Sequence, residues 1–238
     1  EAAITLYTEA ADLLDGKLLG SQIVTASIGN LAQNDPARAL EWVQKNASKF
    51  GEDEADEMKR SLLAGTALNS PDRAFKLISE LKFEDPSEAV NAIIASASEN
   101  QGQRGELLTG LRAYLAGVPD AELRDELSAN AMETFARSSE KEGFDSLTEW
   151  VDEQKFSEKE KLQFSAGLSW FTTKQDTGRW VEWMSSNLPA DEATDPVREV
   201  VGEWTQQDYV AAGEWLGKTP EGPVKSAAVQ AYAAAVAE

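Results

Sequence analysis

The dipeptide Glu-Trp recurs four times, at Glu41-Trp42, Glu149-Trp150, Glu182-Trp183 and Glu214-Trp215. The Trp residues lie 108, 33 and 32 positions apart, and 108 is close to three periods of about 36. Seven residues before the Trp stands Asp35, Asp176 or Asp208, and in the fourth copy Gly143. Two further copies fill the gap. Ser70-Pro71-Asp72-Arg73-Ala74 parallels Asp35-Pro36-Ala37-Arg38-Ala39, with Leu77 in the Trp position. A weaker copy starts near Gln101, with Arg104 matching Arg38 and Leu108 in the Trp position. The mean spacing of the six starts is about 35 residues, the size of one helix–turn–helix unit.

Each start reads as a helix N-terminus. Asp35-Pro36 and Ser70-Pro71 put an oxygen acceptor at the cap and Pro at the first helical position, where its missing N–H costs nothing. Asp176 and Asp208 are caps without Pro. Positions four and seven after the cap, such as Ala39 and Trp42, share one helical face. A second helix precedes each of these, marked by the stripes Val24, Ile28, Leu31 and Val197, Val200/Val201, Trp204. Asp85-Pro86-Ser87-Glu88 and Ser157-Glu158-Lys159-Glu160 read as capping boxes, and Asp120 and Asp195 as further caps. Breakers separate the pairs at 117–119, 188–190 and 219–223. β-Branched residues never alternate over a long run, so no strand is expected.

The expected fold is therefore all-α, an open α–α superhelix (solenoid) of about six helix-turn-helix repeats of about 35 residues, spanning 1–238 as a single repeat domain. Ala2 to about Leu14 reads as a lone second helix and Ser226 to Ala237 as a lone first helix, so the array is expected to belong to a longer one continuing past Glu238.

The period resembles that of tetratricopeptide-type α-solenoids. The local pattern is similar to a Trp-rich helical repeat of uncharacterised bacterial proteins: Trp, three residues, Asp, two residues, Ala-Ala, two residues, Trp-Leu, then a turn. Trp204, Asp208, Ala211-Ala212 and Trp215-Leu216 form the clearest copy, with the turn at Pro220 to Gly222. Leu31 replaces the first Trp before Asp35, and Trp180 replaces the small residue after Asp176. The resemblance implies a superhelical scaffold for binding proteins, and it carries over no catalytic residue.

Composition narrows the chemistry. The chain has no Cys and no His among 238 residues, which removes thiolate and imidazole catalysis and the usual zinc ligands. Carboxylate, Lys and Tyr chemistry and oxygen-ligand cation sites survive. The acidic run 52–57 lacks the spaced ligands and central Gly of a calcium loop, and reads as the first turn of the helix leading to Met58. No cofactor is expected.

With 42 acidic against 22 basic side chains the net charge is −20, which repels phosphate backbones and anionic lipid. A nucleic-acid partner is not expected. Neither is a membrane span, because no apolar run approaches the required length. The chain starts at Glu1 with no basic or apolar leader after it, so cytoplasm and export both fit, with a lean to export. Asn46-Ala47-Ser48 fits the glycosylation triplet inside an expected helix.

The expected function is a non-catalytic scaffold for a protein or peptide partner. Its docking patch is read as the aromatic residues Trp170, Phe171, Trp180 and Trp204, while the repeated Trp42, Trp150, Trp183 and Trp215 read as core. An open array end is also able to pair with a second copy. The competing reading is an α/α-toroid carbohydrate-active enzyme working with two carboxylates. The short connections argue against it, as does the placing of Asp35, Asp176 and Asp208 at helix caps.

Overall fold

The computed structural model describes residues 17–83, 85–98, 100–137, 142–169 and 173–237. The expected helix from Ala2 to Leu14 lies outside them. Twelve α-helices and no strand occur among the described residues, so the chain is all-α. It divides into two compact units, residues 1–127 and 128–238, and the division falls inside one helix.

The first unit contains α1 (Lys17–Asn34), α2 (Pro36–Asn46), α3 (Glu52–Ala67), α4 (Pro71–Leu81), α5 (Pro86–Ala97) and α6 (Gln101–Ala116). α7 (Ala121–Arg137) crosses the division. α1 packs on α2 and α3, α3 on α5, and α4 on α6. The predicted stripe on α1 is buried at Val24 and Ile28 but continues to Ala32, while Leu31 is only half-buried. Steps of four residues track one side of a 3.6-residue helix, and α1 packs on α3, whose Met58, Leu62 and Leu63 are also buried.

α1 and α3 run parallel with backbones in contact. Ser61 Oγ donates to Thr25 O at 2.7 Å, and Asn69 Nδ2 donates to Gln33 O at 2.8 Å. Between them Gly65 lies against Gly29. All three pairs are offset by 36 residues. Larger side chains at either Gly would hold the axes apart, because interiors have almost no spare volume.

At two junctions of the first unit one residue bonds to both helices. Asp35 N donates to Leu31 O at 2.7 Å, ending α1, while Asp35 Oδ1 accepts from Arg38 N at 3.1 Å, starting α2. Ser70 N likewise donates to Thr66 O at 2.9 Å, although its hydroxyl makes no cap bond. The backbone of Asp35 (φ −145°, ψ 80°) is nearly repeated at Ser70 (φ −152°, ψ 72°).

In the second unit are α8 (Phe144–Glu153), α9 (Glu158–Ala166), α10 (Thr177–Asn187), α11 (Thr194–Lys218) and α12 (Pro223–Ala237). Asp208 interrupts α11 with φ −148° and ψ 78°, and its Oδ1 accepts from Ala211 N at 3.0 Å. It thus repeats both the backbone and the side-chain bond of Asp35. Ser157 and Glu160 form the predicted capping box, and Asp120 caps α7 through Glu122 N at 2.9 Å.

Three expectations are corrected. α11 begins at Thr194, so Asp195 is not its cap but pairs with Arg198 at 2.6 Å. Asp176 occupies the cap position of α10 without a side-chain cap bond, and faces Arg179 at 3.4 Å. Arg104 does not match the exposed Arg38. The cap of α6 is Asn100, so Arg104 falls four residues after it, at the buried level of Ala39, Ala74 and Ala212.

Candidate functional site

The structure sorts the predicted patch residues by burial. Trp170 and Phe171 lie outside the described residues. Trp180 is 1 % exposed and belongs to the core, which corrects its assignment to a docking surface. Its ring meets Phe144 edge-on at 4.9 Å, Trp183 at 5.7 Å and Phe164 at 6.1 Å. Trp204 is half-buried and tilts against Trp215 at 5.9 Å, so one face remains open to solvent. Among the residues read as core, Trp150 and Trp183 are each 8 % exposed, whereas Trp42 and Trp215 are half-buried.

These rings continue a chain of aromatic contacts through the second unit. Phe135 meets Trp150 at 5.3 Å, Trp150 meets Phe156 at 5.0 Å, and Phe156 meets Phe164 at 5.9 Å. Offset and edge-to-face geometries match the positive ring edge to the negative ring face. At its margin the Arg179 guanidinium lies 4.1 Å over the Phe144 ring and bonds Asp145. That hydrogen bond holds the Asp145 carboxyl below its ordinary range.

Sequence reasoning missed a groove in the first unit. It has a volume of about 490 Å³ and lies among α4, α6 and the segment leading into α7. Phe75 and Tyr114 form its floor, stacked at 5.9 Å with 27° between ring planes. A Cβ on Gly110 would come within 2.8 Å of Phe75 Cδ2, so glycine is what lets the ring lie flat on α6. Val118, Pro119 and Leu123 make the far wall. Lys76 and Asp72 form an ion pair on the rim, one helical turn apart. The Tyr114 and Ser79 hydroxyls make no hydrogen bond among the described residues. Burial raises the Tyr114 phenol above its ordinary value. The signal in sequence was Tyr114 one turn after Gly110, but nothing local showed that Phe75 would face them.

A second hollow, about 430 Å³, lies between α1 and α3 and contains Asp53, Glu54, Glu57 and Arg60. Its charges are largely engaged. Glu54 accepts from Gly51 N at 2.7 Å, and Glu57 accepts from Arg60 at 2.7 Å. Arg60 also bonds Glu88 of α5. The acidic run is thus the first turn of α3, with its carboxylates beside the positive end of the helix dipole.

Asn46 ends α2, is buried, and donates to Trp42 O at 2.8 Å. No group of three or more carboxylates with metal-holding geometry occurs among the described residues. No described helix is long and apolar enough to cross a membrane. No protein-family model, curated protein or solved structure matches the chain.

Proposed function

We propose that this chain is a non-catalytic scaffold, built as an α–α superhelical array of helix pairs, that holds a protein or peptide partner. The observation that carries the reading is the common 36-residue offset of Thr25–Ser61, Gly29–Gly65 and Gln33–Asn69. An offset of one repeat between parallel neighbours is how stacked helix pairs extend a shared core. The recurrence of one cap geometry at Asp35, Ser70 and Asp208 supports the same reading.

The most prominent acids are also occupied. Asp35 and Asp208 accept backbone N–H bonds and Asp176 faces Arg179, which favours a structural over a catalytic use. The groove beside Tyr114, Val118, Pro119 and Leu123 supplies apolar surface, and the Tyr114 and Ser79 hydroxyls make no hydrogen bond among the described residues, a common composition for a binding site.

Ala113 is exposed on the groove wall, so Ala113→Arg fills the groove without entering the core. Affinity capture with the wild-type chain should retain one stoichiometric protein that the variant loses while keeping its helical circular dichroism. Equal capture by both chains removes the groove from the proposal. Turnover of a polysaccharide panel by the purified chain would overturn the non-catalytic reading.

A further inference from the structure

We propose that the chain associates head to tail with a second copy of itself, the exposed face of α12 receiving α1 of the next molecule. This rests on the helix-array reading and not on the groove.

The repeat register shows which face of a helix its neighbour covers. The caps Asp35 and Ser70 lie 35 residues apart, so Met58, Ser61, Gly65 and Asn69 of α3 correspond to Ile23, Ala26, Asn30 and Asn34 of α1. On α3, Ser61, Gly65 and Asn69 all meet α1, and Met58 is fully buried. On α1 the four corresponding residues are exposed, Ile23 by 47 %. That face of α1 has no neighbour among the described residues of the kind that α1 is to α3.

The last helices lack a following neighbour in the same way. In the second unit, residues just after a cap meet the first helix of the next pair. Phe144, one after Gly143, touches Trp180, and Gly178, two after Asp176, lies against Trp215. The equivalents after Asp208 are Tyr209 and Val210, which are 60 % and 54 % exposed. On α12, Val229, Ala233 and Val236 are spaced four and three residues apart, so they share one face, and all are exposed. Among the described residues the exposed large apolar side chains are Ile23, Tyr209, Val210, Val229 and Val236, all within α1, α11 and α12. Scattered exposed apolar residues are ordinary, but their confinement to surfaces that the repeat covers elsewhere points to an interface.

α1 has a bare face of the kind that α3 uses to follow a neighbour, and α12 has no follower. The two faces therefore complement one another. Each helix also has a single charged residue, Lys17 on α1 and Lys225 on α12, in a chain that is 27 % charged. Two copies can thus meet there without burying a carboxylate. Because the two faces differ, the contact is heterologous and repeats from copy to copy. Copies of net charge −20 still repel at long range, so added salt should strengthen the contact by screening.

Sedimentation velocity on the full chain, across about 10 µM to 1 mM, should show a mass that rises with concentration above the monomer's 25.9 kDa, and further in added salt. Ile23→Glu and Val229→Glu each place a carboxylate at an exposed position, so both should keep the helical circular dichroism and stay monomeric alone. Mixed, they should form a pair that grows no further, since the first variant retains an intact α12 and the second an intact α1. A wild-type chain that is monomeric at the highest concentration overturns the proposal. So does self-association that survives Ile23→Glu, which would mean that α12 pairs with its own counterpart. A mixture that stays monomeric overturns it as well. A chain that never self-associates yet captures a stoichiometric partner keeps the scaffold reading and loses only the self-contact.

Discussion

Gly65 of α3 lies directly on the carbonyl group of Gly29 in α1: a Cβ there would overlap the oxygen and come within 2.8 Å of the carbonyl carbon. The two helices are as close as backbones allow, and the bonds Ser61–Thr25 and Asn69–Gln33 lock them on either side. Side chains and glycines one helical turn apart thus set both the distance and the register of the pair.

Gly65→Ala should therefore destabilise the chain although alanine is the better helix former. Overpacking of this kind costs about 1–3 kcal/mol. Gly202, inside α11 with no atom within 4 Å of its would-be Cβ, is the control. Gly202→Ala should stabilise by about 0.4–1 kcal/mol. Urea unfolding measures both, and a stabilised Gly65→Ala would mean that the backbones are not in contact.

Trp150 is wedged between Phe135 and Phe156. Trp150→Ala should cost about 3–5 kcal/mol, the usual range for removing a core aromatic ring. Trp204, half-buried, should cost less in the same chemical denaturation experiment. The order of the two losses is the check on which rings hold the fold.

Arg104 is 1 % exposed, and its Nε donates to Ser98 O at 2.9 Å, beyond the last turn of α5. A cation there meets the negative end of the helix dipole. Arg104→Met keeps most of the volume and removes the charged donor, so stability should fall by about 1.5–3 kcal/mol. Amide exchange should show the last turn of α5 opening first.

The Asp145 carboxyl is lowered by its hydrogen bond to Arg179. A carboxyl lowered in the folded state contributes stability above its unfolded value, about 3.9, and loses it as pH falls through the folded value. Both groups are solvent-exposed, so the effect is small and weakens with salt. Carboxyl NMR should place the Asp145 titration below the ordinary range, and Arg179→Gln should raise it towards that range. An Asp145 titration that ignores Arg179→Gln would mean the pair is not populated in solution.

The one-residue junctions give a fourth measurement on stability. Asp208→Ala removes the acceptor for Ala211 N and should cost about 0.5–2 kcal/mol by thermal or urea unfolding. Asp35→Ala should cost a similar amount, since the same bond to Arg38 N is lost from the same backbone conformation.

The all-α class and most helix starts were legible in the sequence, because caps, Pro at the first helical position and apolar spacing act within a few residues. Asp35, Asp120 and Ser157 cap as their sequence context required. Asp195 did not, since the preceding turn lets α11 begin two residues earlier than Pro196 suggested. What the sequence could not fix was which aromatic residue faces solvent. Trp180 and Trp204 carry the same indole, yet Phe144, Phe164 and Trp183 close around one while Trp215 covers only part of the other. The groove escaped notice for the same reason. Phe75 and Tyr114 are 39 residues apart and meet only because α4 packs on α6. Local geometry follows from bonds between near neighbours along the chain, whereas exposure is decided by whatever distant segment arrives to cover a side chain.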